Sequence, residues 1–243
     1  MPMTRRTALV AMTVFAAVPS LGFGTEGGSG GGTPDKPLRI GVIGAGWLGG
    51  TVGRCWVKAG HEVLFSTRHP DELEAWVKPL GPLASCGTPQ QAAEFGDILL
   101  IAVPYEAIPE LAKTLGAQMR GKIVLDACNP SASSSSALAK EALANGAAVT
   151  TAKYLAGARV VRAFSAVDAT SVEASFSASD DKLGVPIASD DVTALQVVAQ
   201  LVRDAGCAPV VVGNLAQAVS FQRGGPGFRA NTSEAKLRRL LGL

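Results

Sequence analysis

Apolar runs alternate with segments of helical periodicity from residue 38 into the last third of the chain. Residues 97–103 form an almost continuous apolar run, as expected of a parallel strand buried on both faces. Strands that alternate with helices predict a parallel sheet with right-handed crossovers. We predict strands at 38–43, 61–66, 97–103, 122–126, 159–164, 185–188 and 209–212, with 83–86 as a short strand or a loop. We predict helices at 47–59, 71–77, 89–95, 105–115, 136–145, 150–156 and 190–205.

The first predicted strand runs directly into a glycine-rich turn. Residues 44–49 read GAGWLG, which is a G-x-G-x-x-G spacing between a strand and a helix. Gly44 permits a tight turn, Gly46 lets the backbone approach a pyrophosphate, and Gly49 allows helix and strand to pack closely. The free N–H groups of the helix N-terminus would bind the pyrophosphate. The pattern predicts a dinucleotide-binding loop formed by Gly44, Ala45, Gly46, Trp47, Leu48 and Gly49.

The end of the second predicted strand determines which dinucleotide is expected. An acidic residue there would bind the ribose 2′-hydroxyl of NAD, whereas this strand ends in Ser66, Thr67 and Arg68. Two hydroxyls and a guanidinium suit a 2′-phosphate, because arginine gives forked, charge-assisted hydrogen bonds. The sequence therefore favours NADP over NAD. The alternative is that Arg68 is a solvated loop residue and that Asp71 and Glu72 simply begin the next helix.

Composition is that of an ordinary globular protein of one domain or slightly more. The chain has 243 residues, of which 47% are hydrophobic and 17% charged, and its formal net charge is +2. The 22 lysines and arginines are dispersed and aromatic residues make up only 5%, so we expect no nucleic-acid partner. Two histidines, His61 and His69, are too few for a histidine-based metal site, and we predict no metal.

The N-terminus resembles a targeting segment rather than part of the fold. Arg5 and Arg6 precede an apolar run at 8–18, and small residues follow at 20–22, which predicts an export signal over 1–23. The paired arginines suggest the twin-arginine route, although the general route is equally open. We expect a periplasmic protein with no stable membrane span after cleavage; an uncleaved anchor is the alternative. Glycine-rich residues 24–37 read as a flexible linker.

Four cysteines are scattered over four different elements. Cys55 lies in a predicted helix, Cys86 in a strand or loop, Cys128 at a strand end and Cys207 after a helix. No C-x-x-C spacing occurs, and a chain of this size can build a core without disulfides. We expect free thiols.

The domain boundaries follow from these patterns. We assign 38–165 to an NADP-binding Rossmann domain, a doubly wound parallel sheet, and 166–243 to a small C-terminal α/β extension on the acceptor side. The extension is too short for a large helical dimerisation domain, which argues against the hydroxyacid dehydrogenase and imine reductase classes. The serine tract at 131–136 is either a loop over the pocket or a solvated linker.

The order of several short segments resembles one known family. They read IGVIGAGWLG at 40–49, STR at 66–68, AVP at 102–104, DACNP at 126–130, VVRAFS at 160–165, VPIASDD at 185–191 and LVRDAGCAPVVVG at 201–213. This series is similar to the NADPH-dependent coenzyme F420 reductases and their bacterial homologues, with a more distant likeness to the reductase domain of the STEAP metalloreductases.

The resemblance implies a site as well as a fold. NADP would bind the glycine loop, with its 2′-phosphate on Thr67 and Arg68 and its nicotinamide near Ala102, Val103, Pro104 and Asn129. A flavin-like ring would lie over the nicotinamide, near the loop after Phe164. A homodimer is the usual state of such reductases.

Two departures from the family leave the acceptor open. Asp71 and Glu72 stand where the family tends to carry a further basic residue, and the chain after residue 220 differs from the F420 enzymes. The acceptor could be F420, a flavin or another small molecule.

Hydride transfer between stacked rings requires orientation and exclusion of water, so we assign no catalytic acid or base. Ser165 and Asp168 are candidates for contact with the acceptor, although Asp168 could instead cap the next helix. Arg223 and Arg229 either meet an anionic substrate or are solvated surface residues. The chain is thus either an NADPH-dependent oxidoreductase or a non-catalytic NADP-binding redox sensor or partner module.

Overall fold

A computed structural model describes residues 37–131 and 133–243. The predicted export signal at 1–23 and nearly all of the predicted linker at 24–37 lie outside the described residues. The strands are β1 Arg39–Ile43, β2 Glu62–Ser66, β3 Ala84–Gly87, β4 Ile98–Ile101, β5 Ile123–Asp126, β6 Arg159–Arg162, β7 Gly184–Ala188 and β8 Ala208–Gly213. The α-helices are α1 Trp47–Lys58, α2 Asp71–Val77, α3 Pro89–Phe95, α4 Ile108–Met119, α5 Ala137–Asn145, α6 Ala147–Tyr154, α7 Ala169–Ser177, α8 Val192–Asp204 and α9 Glu234–Leu241. Short 3₁₀ helices cover Lys78–Leu80, Tyr105–Ala107 and Leu215–Phe221.

The eight strands within residues 37–131 and 133–243 belong to one sheet. Their order is β3-β2-β1-β4-β5-β6-β7-β8, and β1 to β6 are parallel. The chain leaves β1 in one direction towards β2 and β3 and returns to its other side as β4. This reversal creates a switch point between the carboxyl ends of β1 and β4, where ligands bind in open α/β sheets. The Rossmann-type α/β fold predicted from the sequence is confirmed.

The last two strands differ from the parallel sheet that the sequence pattern predicts. β7 is antiparallel to β6 and pairs with it through Arg162 and Ala188 alone, while β8 is parallel to β7. Because these two residues end their strands, the rest of β7 extends past the carboxyl end of β6. The alternation of strands and helices does not indicate at which edge of the sheet the chain leaves α7. The direction of β7 could therefore not be predicted from it.

Apolar side chains cover both faces of the sheet. All four residues of β4 are buried, as predicted for a strand with helices on both sides. On one face, Trp56 of α1 is fully buried, contacts the Phe164 ring edge-on and donates its indole N–H to the Leu201 carbonyl at 2.7 Å. This bond connects the glycine-loop helix to α8, so the C-terminal part shares the core of the nucleotide-binding part.

Local sequence signals set several element ends. Thr88 caps α3 by a reciprocal pair of hydrogen bonds with Gln91, and Pro89 occupies the first turn. In contrast, α6 begins at Ala147, three residues before its predicted start, and α4 continues to Met119. The four cysteines are free, as expected, and Cys86 is the one that is not fully buried. Within the part of the chain that the structure covers, no helix is both long and apolar enough to span a membrane.

Candidate cofactor-binding site

The glycine loop connects β1 to α1 at the switch point. Gly44 has φ +96°, and a Cβ at this position would lie 2.5 Å from the Ala102 carbonyl oxygen. The N–H groups of Gly44 and Ala45 both donate to the Ser66 carbonyl oxygen, at 3.1 and 2.9 Å. Only glycine fits the first position, because it alone tolerates this φ and avoids the collision. The loop is therefore held against the ends of both β2 and β4.

The N-terminus of α1 is open for a ligand. Gly46 is the N-cap residue of α1, and no side chain caps this end of the helix. A Cβ added to Gly46 would meet no atom within 4 Å. Leu48 is half-buried, whereas Trp47 is 72% exposed. Uncapped N–H groups in the first turn of a 12-residue helix favour an anion. The space beside Gly46 and the free N–H groups fit the pyrophosphate of a dinucleotide.

The buried Gly49 lies in the first turn of α1, where the helix packs against the glycine loop. A side chain there would collide with the Gly44 carbonyl and contact Val42 of β1. The third glycine thus permits close packing, as the motif predicts.

The end of β2 presents two of the three predicted phosphate ligands. Thr67 is half-buried and Arg68 is exposed, and they follow directly on the strand. The prediction for the Ser66 hydroxyl is wrong, since Ser66 is fully buried and its Oγ donates to the Val42 carbonyl at 2.7 Å. Ser66 lies at the buried end of β2, where its hydroxyl satisfies a backbone group. Ser66 contributes its carbonyl oxygen to the glycine loop instead.

Acidic residues lie near this end of the site. Asp71, Glu72 and Glu74 fill the first turn of α2, which begins three residues after Arg68. They favour the helix through its dipole and lower the positive potential around Arg68.

The end of β4 closes the other side of the loop. Ala102 donates its N–H to Ile43 at 2.9 Å, and its carbonyl packs against Gly44. Val103 is half-buried and Pro104 is exposed. These three residues form the surface beside the glycine loop at the switch point, where the resemblance places the nicotinamide end of NADP.

Asn129 is fixed at the end of β5 by two neighbours. Its Nδ2 donates to the Ser165 carbonyl at 2.7 Å, and its Oδ1 accepts from Arg162 Nη2 at 2.9 Å. Arg162 also forms an ion pair of 2.6 Å with Asp126, and both side chains are fully buried. Sequence reasoning missed this pair. The available signal was a charged residue at the end of each of two neighbouring apolar strands, which the parallel register places side by side.

The candidate acceptor residues lie in the loop after β6. Ser165 is buried, and its hydroxyl has no hydrogen-bond partner among the residues described. Asp168 begins α7 without capping it through its side chain. Its carboxylate instead binds Arg229 at 2.7 Å and Asn231 at 2.6 Å.

This pairing links the acceptor-side loop to the C-terminal segment. The Arg229 side chain is 60% exposed, yet its guanidinium is paired with Asp168. It is therefore neither an unpaired site for an anionic substrate nor a residue that contacts solvent alone. Its hydrogen bond lowers the pKa of Asp168 below its usual range, and the two groups stay charged at neutral pH. The Arg229 N–H also donates to the Ala166 carbonyl at 2.8 Å.

Cys128 lies between the ion pair and Asn129 but is poorly suited to chemistry. Burial raises the pKa of its thiol well above the usual range, and its Sγ donates to the Ile101 carbonyl at 3.5 Å. A protonated, buried thiol is a weak nucleophile. No group of three or more metal-ligating side chains occurs among residues 37–131 and 133–243.

Comparison with known proteins agrees with the resemblance seen in the sequence. Residues 39–130 match the family of NADP oxidoreductases that are coenzyme F420-dependent, which confirms the predicted family. No curated protein matches the chain. The matched residues include the glycine loop, Thr67, Arg68 and Asn129, and the match indicates an NAD(P)-dependent oxidoreductase.

Several solved structures share the fold. A hypothetical protein from Sinorhizobium meliloti is 24% identical, with a TM-score of 0.67 over 80% of this chain and 94% of that one. An inferred F420-dependent NADP reductase from Arthrobacter sp. FB24 is 22% identical, with a TM-score of 0.62 over 74% and 87%. An imine reductase variant from Myxococcus stipitatus, in complex with NAD⁺, is 17% identical, with a TM-score of 0.57 over 76% and 58%.

Proposed function

We propose that this chain, which belongs to the F420-dependent NADP oxidoreductase family through residues 39–130, transfers a hydride between NADPH and a small acceptor. The acceptor is a flavin-like molecule, a deazaflavin such as F420 or another small oxidant. The observation that carries the proposal is the bond between the glycine loop and Ser66. It holds the open N-terminus of α1 beside Arg68, so that a pyrophosphate and a 2′-phosphate can be bound together.

Each part of NADPH has chain residues suited to hold it. The N–H groups after Gly46 would bind the pyrophosphate, and Thr67 and Arg68 would bind the 2′-phosphate. Val103 and Pro104 offer an apolar surface for the nicotinamide, while Asn129 supplies an oriented amide. Bound NADPH supplies the hydride, and the protein needs only to orient the two rings and keep water away.

The acceptor would enter from the side of the loop after β6. Asn129 bonds to Ser165 there, and the C-terminal segment at Arg229 bonds to Ala166 one residue further on. The surface proposed for the nicotinamide and the C-terminal part therefore meet at this loop. β7 also extends beyond the carboxyl end of β6, at the same edge of the sheet as this loop.

A non-catalytic NADP-binding module is the second candidate, and one observation favours it. The two residues proposed for acceptor contact are engaged within the protein, since Ser165 is buried and Asp168 binds Arg229 and Asn231. An acceptor would have to contact the backbone of this loop or displace these bonds.

A single assay separates the two candidates. The purified chain is titrated with NADPH by fluorescence, and FMN and then F420 are added in the same cuvette. Binding followed by NADPH oxidation supports the oxidoreductase and identifies its acceptor. Tight binding without oxidation by FMN, F420 or a panel of quinones would support the binding module. Absence of NADPH binding would contradict both.

A further inference from the structure

Arg162 connects three groups at the carboxyl edge of the sheet. Its Nη1 donates to Asp126 Oδ2 and to the Cys128 carbonyl, at 2.6 and 2.5 Å, and its Nη2 donates to Asn129 Oδ1 at 2.9 Å. The side chain is fully buried, and its Nε has no partner within the described part of the chain. Asp126 is fixed in turn, because its Oδ1 accepts the Cys128 N–H at 2.9 Å.

Stability alone is a poor explanation for this pair. Removing two charges from water is costly, and apolar residues of similar size often give an equally stable or a more stable core. The preceding register pairs of the same two strands, Val124 with Val160 and Leu125 with Val161, are apolar. Only the last pair joins two charged residues, and it lies where the strands open onto the candidate site.

The pair determines the orientation of the Asn129 amide. Arg162 can only donate and the Ser165 carbonyl can only accept, so the amide oxygen must face Arg162 and the amide nitrogen must face Ser165. A flipped amide would put two donors together and two acceptors together. One Nδ2 hydrogen and one Oδ1 lone pair remain for a ligand.

We infer that Arg162 is a positioning residue that fixes Asn129 to bind the carboxamide of the nicotinamide ring. The carboxamide has one carbonyl oxygen and one amino group, which complement the hydrogen and the lone pair that Asn129 has left. Asn129 contacts the cofactor, and Arg162 acts through Asn129. This inference rests on the proposed function, because it requires that NADPH bind with its nicotinamide at Asn129.

The test compares two ligands that share the adenine end. NADPH contains the nicotinamide, whereas adenosine 2′,5′-bisphosphate contains the 2′-phosphate but no nicotinamide. The main variant is the charge-neutral pair Asp126→Asn with Arg162→Met, which leaves no unpaired buried charge. We expect NADPH binding to weaken about tenfold, as for loss of one oriented hydrogen bond, while the bisphosphate Kd changes less than about twofold.

A milder variant guards against failure of the double variant to fold. Arg162→Lys keeps the charge beside Asp126 but loses the planar fork that reaches Asn129. We expect it to weaken NADPH binding by about threefold or more and to leave bisphosphate binding unchanged. Circular dichroism and the thermal midpoint report the folded state of each variant.

A double-mutant cycle that combines Arg162→Lys with Asn129→Ala tests whether Arg162 acts through Asn129. If it does, Arg162→Lys has no further effect on NADPH binding once Asn129 is alanine. Additive effects, equal losses for both ligands or unchanged NADPH binding would each overturn the role of Arg162. If the wild-type chain binds the bisphosphate but not NADPH, or binds neither, the proposed function itself fails.

Discussion

The carbonyl oxygen of Ser66 lies 3.1 Å from the backbone nitrogen of Gly44 and accepts its hydrogen bond. One residue ends β2 and the other begins the glycine loop, so the bond fixes the distance between the two elements proposed to bind phosphate. The Ser66 hydroxyl is engaged separately with Val42. In the proposed site, selectivity for NADP would therefore depend on Thr67 and Arg68, while Ser66 supports the loop.

The first and second glycines of the motif should respond differently to alanine. Gly44→Ala forces a side chain into φ +96° and against the Ala102 carbonyl, so we expect a loss of more than about 1 kcal/mol in the free energy of unfolding. Gly46→Ala has room for its methyl group and should remain stable. That methyl group would occupy the pyrophosphate position, and we expect NADPH binding to weaken at least about tenfold. Urea denaturation and fluorescence titration measure the two effects. Wild-type affinity in Gly46→Ala would show that the pyrophosphate lies elsewhere.

The cap of α3 gives a test of local stability. Thr88 accepts the Gln91 N–H at 3.2 Å, and Gln91 Oε1 accepts the Thr88 N–H at 2.8 Å. Thr88→Ala should lower the free energy of unfolding by about 1 kcal/mol, whereas Thr88→Ser should retain most of the contribution of the cap. Urea unfolding of the three proteins is the measurement. Equal stability of the alanine and serine variants would show that the hydroxyl contributes nothing.

Asp191 should make stability depend on acid pH. A hydrogen bond from Arg159, and then one from the Ala194 N–H, lower the pKa of Asp191 to about 2. Because the folded pKa lies below the unfolded one, this stabilisation is complete above about pH 4 and is lost as the pH falls towards 2. Asp191→Asn keeps the cap but removes the charge. The difference in unfolding free energy between wild type and variant should be constant above pH 5 and shrink below pH 4. A difference that does not change with pH would contradict the assignment.

The cysteines should differ in reactivity. Burial raises the pKa of Cys55 to about 11 and that of Cys207 to about 12, whereas Cys86 in β3 is half-buried. We expect Ellman's reagent at pH 7.5 to label Cys86 fast and the other thiols only on unfolding. The Cys86→Ser variant should lose the fast phase. If the fast phase persists in that variant, another thiol is accessible.

Signals that lie within a few residues of one another were sufficient for much of the fold. The strand before Gly44 and the helix after Gly46 follow from the motif, and the start of α3 follows from Pro89, which occupies its first turn. The burial of β4 follows from its apolar run. Each of these features is signalled by residues that are near neighbours in sequence, which a single sequence records.

Features that depend on distant contacts were missed. The direction of β7 depends on where α7 releases the chain, and the fate of the Ser66 hydroxyl depends on how the end of β2 is packed. Asp126 and Arg162 lie on neighbouring strands but are 36 residues apart in sequence. The Asp168 and Arg229 bond spans a larger part of the chain. These contacts shape the loop after β6, which is why the sequence predicted the geometry of the glycine loop better than that of the proposed acceptor side.

Arg68 offers the sharpest test of the proposed NADP site, because it would be the principal ligand of the 2′-phosphate. Isothermal titration of wild type, Arg68→Ala and the surface control Arg203→Ala with NADPH and NADH measures its contribution. Loss of charge-assisted hydrogen bonds should weaken NADPH binding by roughly tenfold to a hundredfold in Arg68→Ala and leave NADH binding within about twofold. Arg203→Ala should match wild type with both ligands. Equal losses of NADPH and NADH affinity in Arg68→Ala, or no loss of either, would contradict the assignment of this site to NADP.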